Sequence, residues 1–254
     1  MKPVALTSLF LIFVLSCTAD VKSRKVADTP PSHAIYDGLL KKYVKGAFID
    51  YEGLKGDSKE LQKYLDLLSQ NPPNKDTWSP NEQLAYWINT YNAFTLKLII
   101  DNYPVSSIRD LHPTLYVPLV NTVWHKKFFE IGGVPTNLDE IEHSILRKEF
   151  NEPRIHFAIN CASYSCPPLR AEAFFPQKID QQLNEQAVQF INDKDRNVIS
   201  PNKIEISKIF SWFTKDFTKK GSLIDYLNQY SKVKINKDAE IDYMDYDWSL
   251  NDTK

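Results

Sequence analysis

The chain has 254 residues, with 31 Lys and Arg against 32 Asp and Glu, 43% hydrophobic residues and a formal net charge of −1. This composition excludes collagenous, coiled-coil and wholly disordered chains, and the near-zero charge supplies no long-range pull toward nucleic acid or an anionic membrane face. Seven glycines leave little for phosphate-cradling loops, and no GxGxxG, P-loop, GxSxG or HExxH motif occurs.

Met1-Lys2, an apolar run from Pro3 to Leu15 and then Ser16-Cys17 read as a targeting segment. The run is too short for a membrane-spanning helix of ~20 residues. Val14-Leu15-Ser16-Cys17 resembles a bacterial lipobox, which predicts cleavage after residue 16 and lipidation of Cys17. An ordinary secretory signal with an incidental cysteine is the alternative. Thr18, where an aspartate would resemble an inner-membrane retention signal, points to the outer membrane. The expected address is therefore the bacterial cell envelope facing the periplasm, with the membrane reached by a lipid anchor only. Residues 17–32, polar and carrying Pro30-Pro31 just before Ser32, read as a flexible tether, and residues 33–251 as one domain.

Ser32 can cap a helix carrying Ile35, Leu39, Leu40 and Tyr43 on one face. A second, opened by Asp57 or Ser58, carries Leu61, Tyr64, Leu65 and Leu68 and is closed by Asn71-Pro72-Pro73. Ser79-Pro80-Asn81-Glu82 is a strong start signal for a helix to about Asp101, apolar nearly all round and so expected inside the domain. Leu115–Val120 reads as an edge or irregular strand, and Phe128–Pro135 as a hairpin turning at Gly132-Gly133. A helix is expected from Asn137 to about Lys148, a buried strand over Arg154–Asn160 and a helix over Gln177–Asn192. A hairpin turning at Pro201-Asn202 and helices at about Lys208–Phe217 and Ser222–Tyr230 follow, and the acidic tail reads as a solvated face with one strand. The fold class is α+β, predominantly helical, with a small β-sheet and a central buried helix.

Chemistry concentrates in three places. In His156–Pro168 a strand ending at Asn160-Cys161 puts a thiol where the chain leaves the sheet, and exposed N–H groups there can lower its pKa and hold an oxyanion. A nucleophilic Cys161 needs a base, for which His143 and His156 are the candidates, and an amide of Asn160 or Asn92 can steady the oxyanion. With Cys17 lipidated, Cys161 and Cys166 are the remaining thiols, so a structural disulfide is the leading reading of the pair against catalysis, and a reversible redox pair is a further one. Glu82, Asn89 and Asn92 form the second place. On a buried helix such amides must bond a neighbouring backbone or line a pocket, and Glu82 also fits a capping box. The third is Asp139 with His143, four apart and able to pair. His33, His112 and His125 lack metal spacing and receive no role, and no metal or cofactor is expected.

Four segments together resemble the family of domain of unknown function 547: Asn81–Ala93, Leu138–Arg147, Ile155–Pro167 and Ser207–Phe217, with a closing Tyr246–Asn251. The similarity runs over about residues 35–251. It implies no particular activity, although some members resemble domains fused to glutaredoxin modules, which leans toward thiol chemistry. In papain-like hydrolases the cysteine precedes the histidine, so that analogy requires a circularly permuted order here. The expectation is a pocket lined by Glu82, Asn89, Asn92, His143, His156, Asn160, Cys161 and Ser163. It would serve a thiol-dependent hydrolase or acyl transferase acting on an envelope peptide, polymer or small molecule. The alternatives are a ligand- or protein-binding lipoprotein stapled by Cys161–Cys166, and a thiol-disulfide redox domain.

Overall fold

The computed structural model describes residues 23–115, 117 and 121–254. The targeting segment and Cys17 lie outside the described residues, as does most of the strand expected over Leu115–Val120. From Lys25 the expected tether is already bonded to the domain. Lys25 N–H donates to the Gly132 carbonyl, Ala27 N–H to the Pro72 carbonyl, and the Trp78 indole to the Ala27 carbonyl.

Helix α1 (Ala34–Tyr43) buries Tyr36, Leu39, Leu40 and Tyr43, and a two-residue ladder of β1 (Val44–Lys45) and β2 (Phe48–Ile49) follows. Asp50 caps α2 (Tyr51–Gly56) by accepting from Gly53 N–H. Helix α3 (Ser58–Gln70) turns the expected Leu61, Tyr64, Leu65 and Leu68 inward. Helix α4 (Pro80–Asn102) starts with the full capping box of Ser79 and Glu82, and its apolar surface is buried almost all round. The predicted central helix is thus present, with α2 and α3 packed on it.

Strands β3 (Phe129–Ile131) and β4 (Val134–Thr136) pair antiparallel across Gly132 and Gly133, whose φ of 60° and 76° are left-handed values that glycine adopts without strain. The next helix departs from expectation. Glu140–Leu146 is a π-helix, and only Arg147–Glu149 (α5) returns to α geometry. Wide π turns are frequent at functional sites.

The buried strand expected over Arg154–Asn160 does not form. Pro153–Phe157 is a 3₁₀ helix, opened by Glu152 accepting from Arg154 N–H. Side chains take the place of strand neighbours. The Asn92 amide donates to the Ala158 carbonyl at 2.9 Å and accepts from Asn160 N–H at 2.8 Å, and Gln186 donates to the Phe157 carbonyl. A backbone whose polar groups are satisfied by helix side chains needs no sheet, and the apolar run resembles a strand because both of its faces are buried.

Helix α6 (Ile179–Ile191) leads to β5 (Asn197–Ile199) and β6 (Lys203–Ile206), the expected hairpin. The helix expected to Phe217 breaks at Phe213 into α7 (Lys208–Trp212) and α8 (Thr214–Phe217), and α9 (Leu223–Leu227) ends early. Strand β7 (Glu240–Tyr243) from the acidic tail adds parallel to β6. Two apolar cores result, one around α4 and one where Phe157 meets Phe190, Phe210 and Phe217. No helix among the described residues is long and apolar enough to cross a membrane.

Candidate functional site

The loop after the 3₁₀ turn is fastened by amides. Asn160 donates to the Pro167 carbonyl and accepts from Ala162 N–H, and Arg196 donates to the carbonyls of Tyr164 and Cys166. Ala162 carries a φ of 62°, left-handed for a residue with a Cβ, beside Cys161. Such strain persists only where surrounding bonds enforce it, and here the Asn160 and Asn251 contacts to Ala162 do so.

Cys161 is half-buried, and its sulfur faces a cavity of about 630 Å³, within the ~300–1,000 Å³ usual for small-molecule sites. The Cys161 Sγ lies 3.0 Å from Cys166 Sγ, 3.2 Å from Ser163 Oγ and 3.4 Å from Tyr246 Oη. Hydrogen bonding from the Cys166 thiol, helped by Ser163 and Tyr246 against the opposing effect of burial, pulls the Cys161 thiol below its ordinary range. Burial, reinforced by the Cys161 charge, pushes Cys166 well above it. One sulfur is poised as thiolate and its neighbour as thiol. Both are free thiols in this structure.

Across the cavity stands the π-helix wall. Burial, with the negative Cys161 sulfur as the next cause, pushes the Glu142 carboxyl up to about 8. Its hydrogen-bond contact is with the Tyr91 hydroxyl at 3.5 Å. His143 comes to the same cavity, but the ring nitrogen that could act as a base is already engaged. Nδ1 accepts from the Arg147 guanidinium at 2.9 Å, and Nε2 is 3.5 Å from Asp139, which lies equally close to His125. A guanidinium can only donate, so the neutral ring carries its proton on Nε2. Burial lowers the His143 pKa, with Arg147 adding to the effect and Asp139 opposing it.

His156 also lines the cavity, stacked on Phe213 with ring centroids 4.0 Å apart. Its Nε2 donates to Asp216 at 2.9 Å, and Arg147 donates to the same oxygen at 2.7 Å. Burial alone would raise the Asp216 pKa, but the His156 and Arg147 hydrogen bonds outweigh it and hold the carboxylate far below its usual range. Burial keeps His156 neutral by lowering its pKa, with Asp216 partly opposing.

Of the predicted site residues, Cys161, His143 and His156 therefore meet at one cavity, with Ser163 touching the sulfur. The other four do not line it. Asn89 bonds both the N–H and the carbonyl of Phe174, and Asn92 and Asn160 are committed to main chain, so neither presents a free amide to an oxyanion. Glu82 accepts from Ser79 N–H as a cap. His112 and His125, left without a role by their spacing, are part of the wall. Sequence reasoning also missed Glu142, Tyr91, Arg147, Asp216 and Tyr246. All stand inside the quoted family segments, but no spacing rule links residues so far apart.

The class defined is an α+β protein with an aromatic-walled cavity and a paired-thiol floor. Residues 75–191 match the family described as protein of unknown function, DUF547, and the chain is similar to that family over this stretch. No curated protein and no solved structure matches the chain.

Proposed function

We propose that this protein is a thiol-dependent acyl transferase or hydrolase of the bacterial cell envelope, held there by lipid on Cys17. What supports the catalytic reading is one arrangement: a thiol with a depressed pKa opening on a small-molecule-sized cavity opposite a carboxyl that keeps its proton. The Cys161 thiolate attacks the substrate carbonyl and forms an S-acyl bond, and the leaving group departs with the proton of Glu142. Water or an acceptor then attacks the thioester, returns a proton to Glu142 and frees the thiolate. Glu142 takes the place first expected of His143, whose Nδ1 lone pair is taken by Arg147 and whose Nε2 carries the ring proton. The His156–Asp216 pair is the competing base and is separated from Glu142 by substitution.

The test is iodoacetamide labelling across pH, read by mass spectrometry after reduction. Cys161 should react with a midpoint below the ordinary thiol value of about 8.5, and Cys166 should lag behind it. Labelling of Cys161 only above pH 9 would remove the proposal. For the address, an alkyne-bearing fatty acid fed to cells should mark the wild-type chain and not Cys17→Ser. Equal marking of both would overturn the anchor.

The sulfur separation of 3.0 Å favours a second reading, in which the pair gives two electrons and two protons to a disulfide partner. It predicts a reduction potential above about −300 mV, the boundary below which disulfides behave as structural.

A further inference from the structure

Charges along the cavity wall are settled internally, with one exception. Arg147 is paired with Asp216, Asp139 lies between two imidazoles, and Glu142 keeps its proton. Arg109 is exposed at the rim, and among the described residues no carboxylate pairs with its guanidinium. The neighbouring Asp110 is committed to the N–H groups of Ser106 and Ser107. Arg109 is nevertheless held in place. Ser107 Oγ accepts from Arg109 N–H and donates to the Trp248 carbonyl, fastening the turn to residue 248, and the guanidinium lies 5.5 Å from the Trp248 ring centre. A guanidinium stacked at a cavity mouth, with no carboxylate partner among the described residues, is placed to recognise an anionic group.

Between that cation and the thiol runs an aromatic wall. Trp248 packs against Trp124 at 5.7 Å, Trp212 at 5.9 Å and Tyr246 at 4.5 Å, and Tyr246 reaches the Cys161 sulfur. Trp212 is 47% exposed, an open face on a large apolar ring. A single planar guanidinium forks onto a carboxylate or a phosphate alike, but with Arg147 already paired to Asp216 the lining offers no second arginine of the kind that phosphate sites gather, which favours the carboxylate.

We infer that the acyl donor carries an aromatic or extended apolar body ending in a carboxylate, the body lying along Trp248 and Trp212 and the carboxylate held by Arg109. This rests on Cys161 being the nucleophile. The test uses two alkylating probes of equal shape, N-(4-carboxyphenyl)iodoacetamide and N-(4-carbamoylphenyl)iodoacetamide, each losing iodide to the Cys161 thiolate. In the full chain the carboxylate probe should label Cys161 about fivefold faster at subsaturating concentration, the scale of one exposed charge contact, and the preference should shrink with salt. Arg109→Gln should erase that preference, bringing the two probes to equal rates, while Arg109→Lys should retain part of it. Equal rates for the two probes in the wild-type chain overturn the inference and leave the nucleophile intact. Failure of plain iodoacetamide to label Cys161 removes the underlying reading as well.

Discussion

The loop around Cys161 and the π-helix wall opposite it treat polar groups in opposite ways. From Ala158 to Pro168 the main chain is gripped by Asn92, Asn160, Gln186 and Arg196, each bonding backbone with normal geometry. On the wall, Glu142 has a long contact to Tyr91, and Asp139 faces two imidazoles at 3.5 Å without closing on either. Saturated bonding holds a shape, whereas a half-satisfied carboxyl stores a proton it can give away. The loop amides hold position, and the proposed chemistry falls to the Cys161 sulfur and the Glu142 carboxyl.

Substitutions should divide along the same line. Cys161→Ala should give the largest effect, a loss of turnover of at least ~10⁴-fold, as for other covalent nucleophiles, with the melting temperature little changed. Unaltered turnover by steady-state assay would move the chemistry elsewhere in the cavity.

Glu142→Gln should follow, lowering kcat/KM by about 10²–10³-fold if it is the proton donor. In the wild-type chain kcat/KM should rise as Cys161 ionises and fall as Glu142 loses its proton at about 8. The falling limb should vanish in the variant, whereas His156→Gln should leave it in place. Stability carries an independent sign. Glu142 keeps its proton up to about 8 in the folded chain, against 4.5 ordinarily, so between those values the folded state binds more protons than the unfolded one. Its contribution is therefore complete below pH 4.5 and is lost as pH rises through the window. Glu142→Gln should flatten this decline, which denaturant titration at pH 5 and pH 8.5 would detect. An unchanged slope would mean the carboxyl is already ionised at neutral pH.

Asn92→Ala tests the other side of the comparison. It removes two bonds to main chain and leaves the Ala158 carbonyl and Asn160 N–H without those partners, which should cost about 2–4 kcal/mol of stability. The slower labelling of Cys161 expected with it should track the stability loss, without a shift in the pH midpoint. A shifted midpoint at unchanged melting temperature would return Asn92 to the chemistry.

Local signals were legible in the sequence, and long-range ones were not. Ser79 with Glu82, the Gly132-Gly133 turn and the Pro201-Asn202 hairpin are specified by neighbouring residues, and each formed where its motif lies. Arg154–Asn160 failed as a strand because its backbone partners, Asn92 and Gln186, come from distant helices. The π-helix was unreadable for a related reason, since its apolar spacing fits an ordinary helix. Within the site, thiol and imidazoles were visible as residue types. Glu142 was not, because its raised pKa comes from burial that only the folded chain supplies.

The smallest expected effect falls on a residue first counted with the pocket. Glu82 accepts from Ser79 N–H at 2.7 Å, and Ser79 Oγ accepts from Glu82 N–H, a reciprocal cap at the end of α4 and outside the cavity wall. Glu82→Ala removes half of that cap and should cost roughly 0.5–1 kcal/mol, near the low end for capping residues. Cys161 labelling rate, its pH midpoint and the carboxylate-probe preference should all match wild type. A changed midpoint would mean that α4 transmits the state of its first turn to the cavity through Tyr91, about two and a half turns further along the same helix. The difference between holding and reacting groups would then no longer follow the boundary of the cavity.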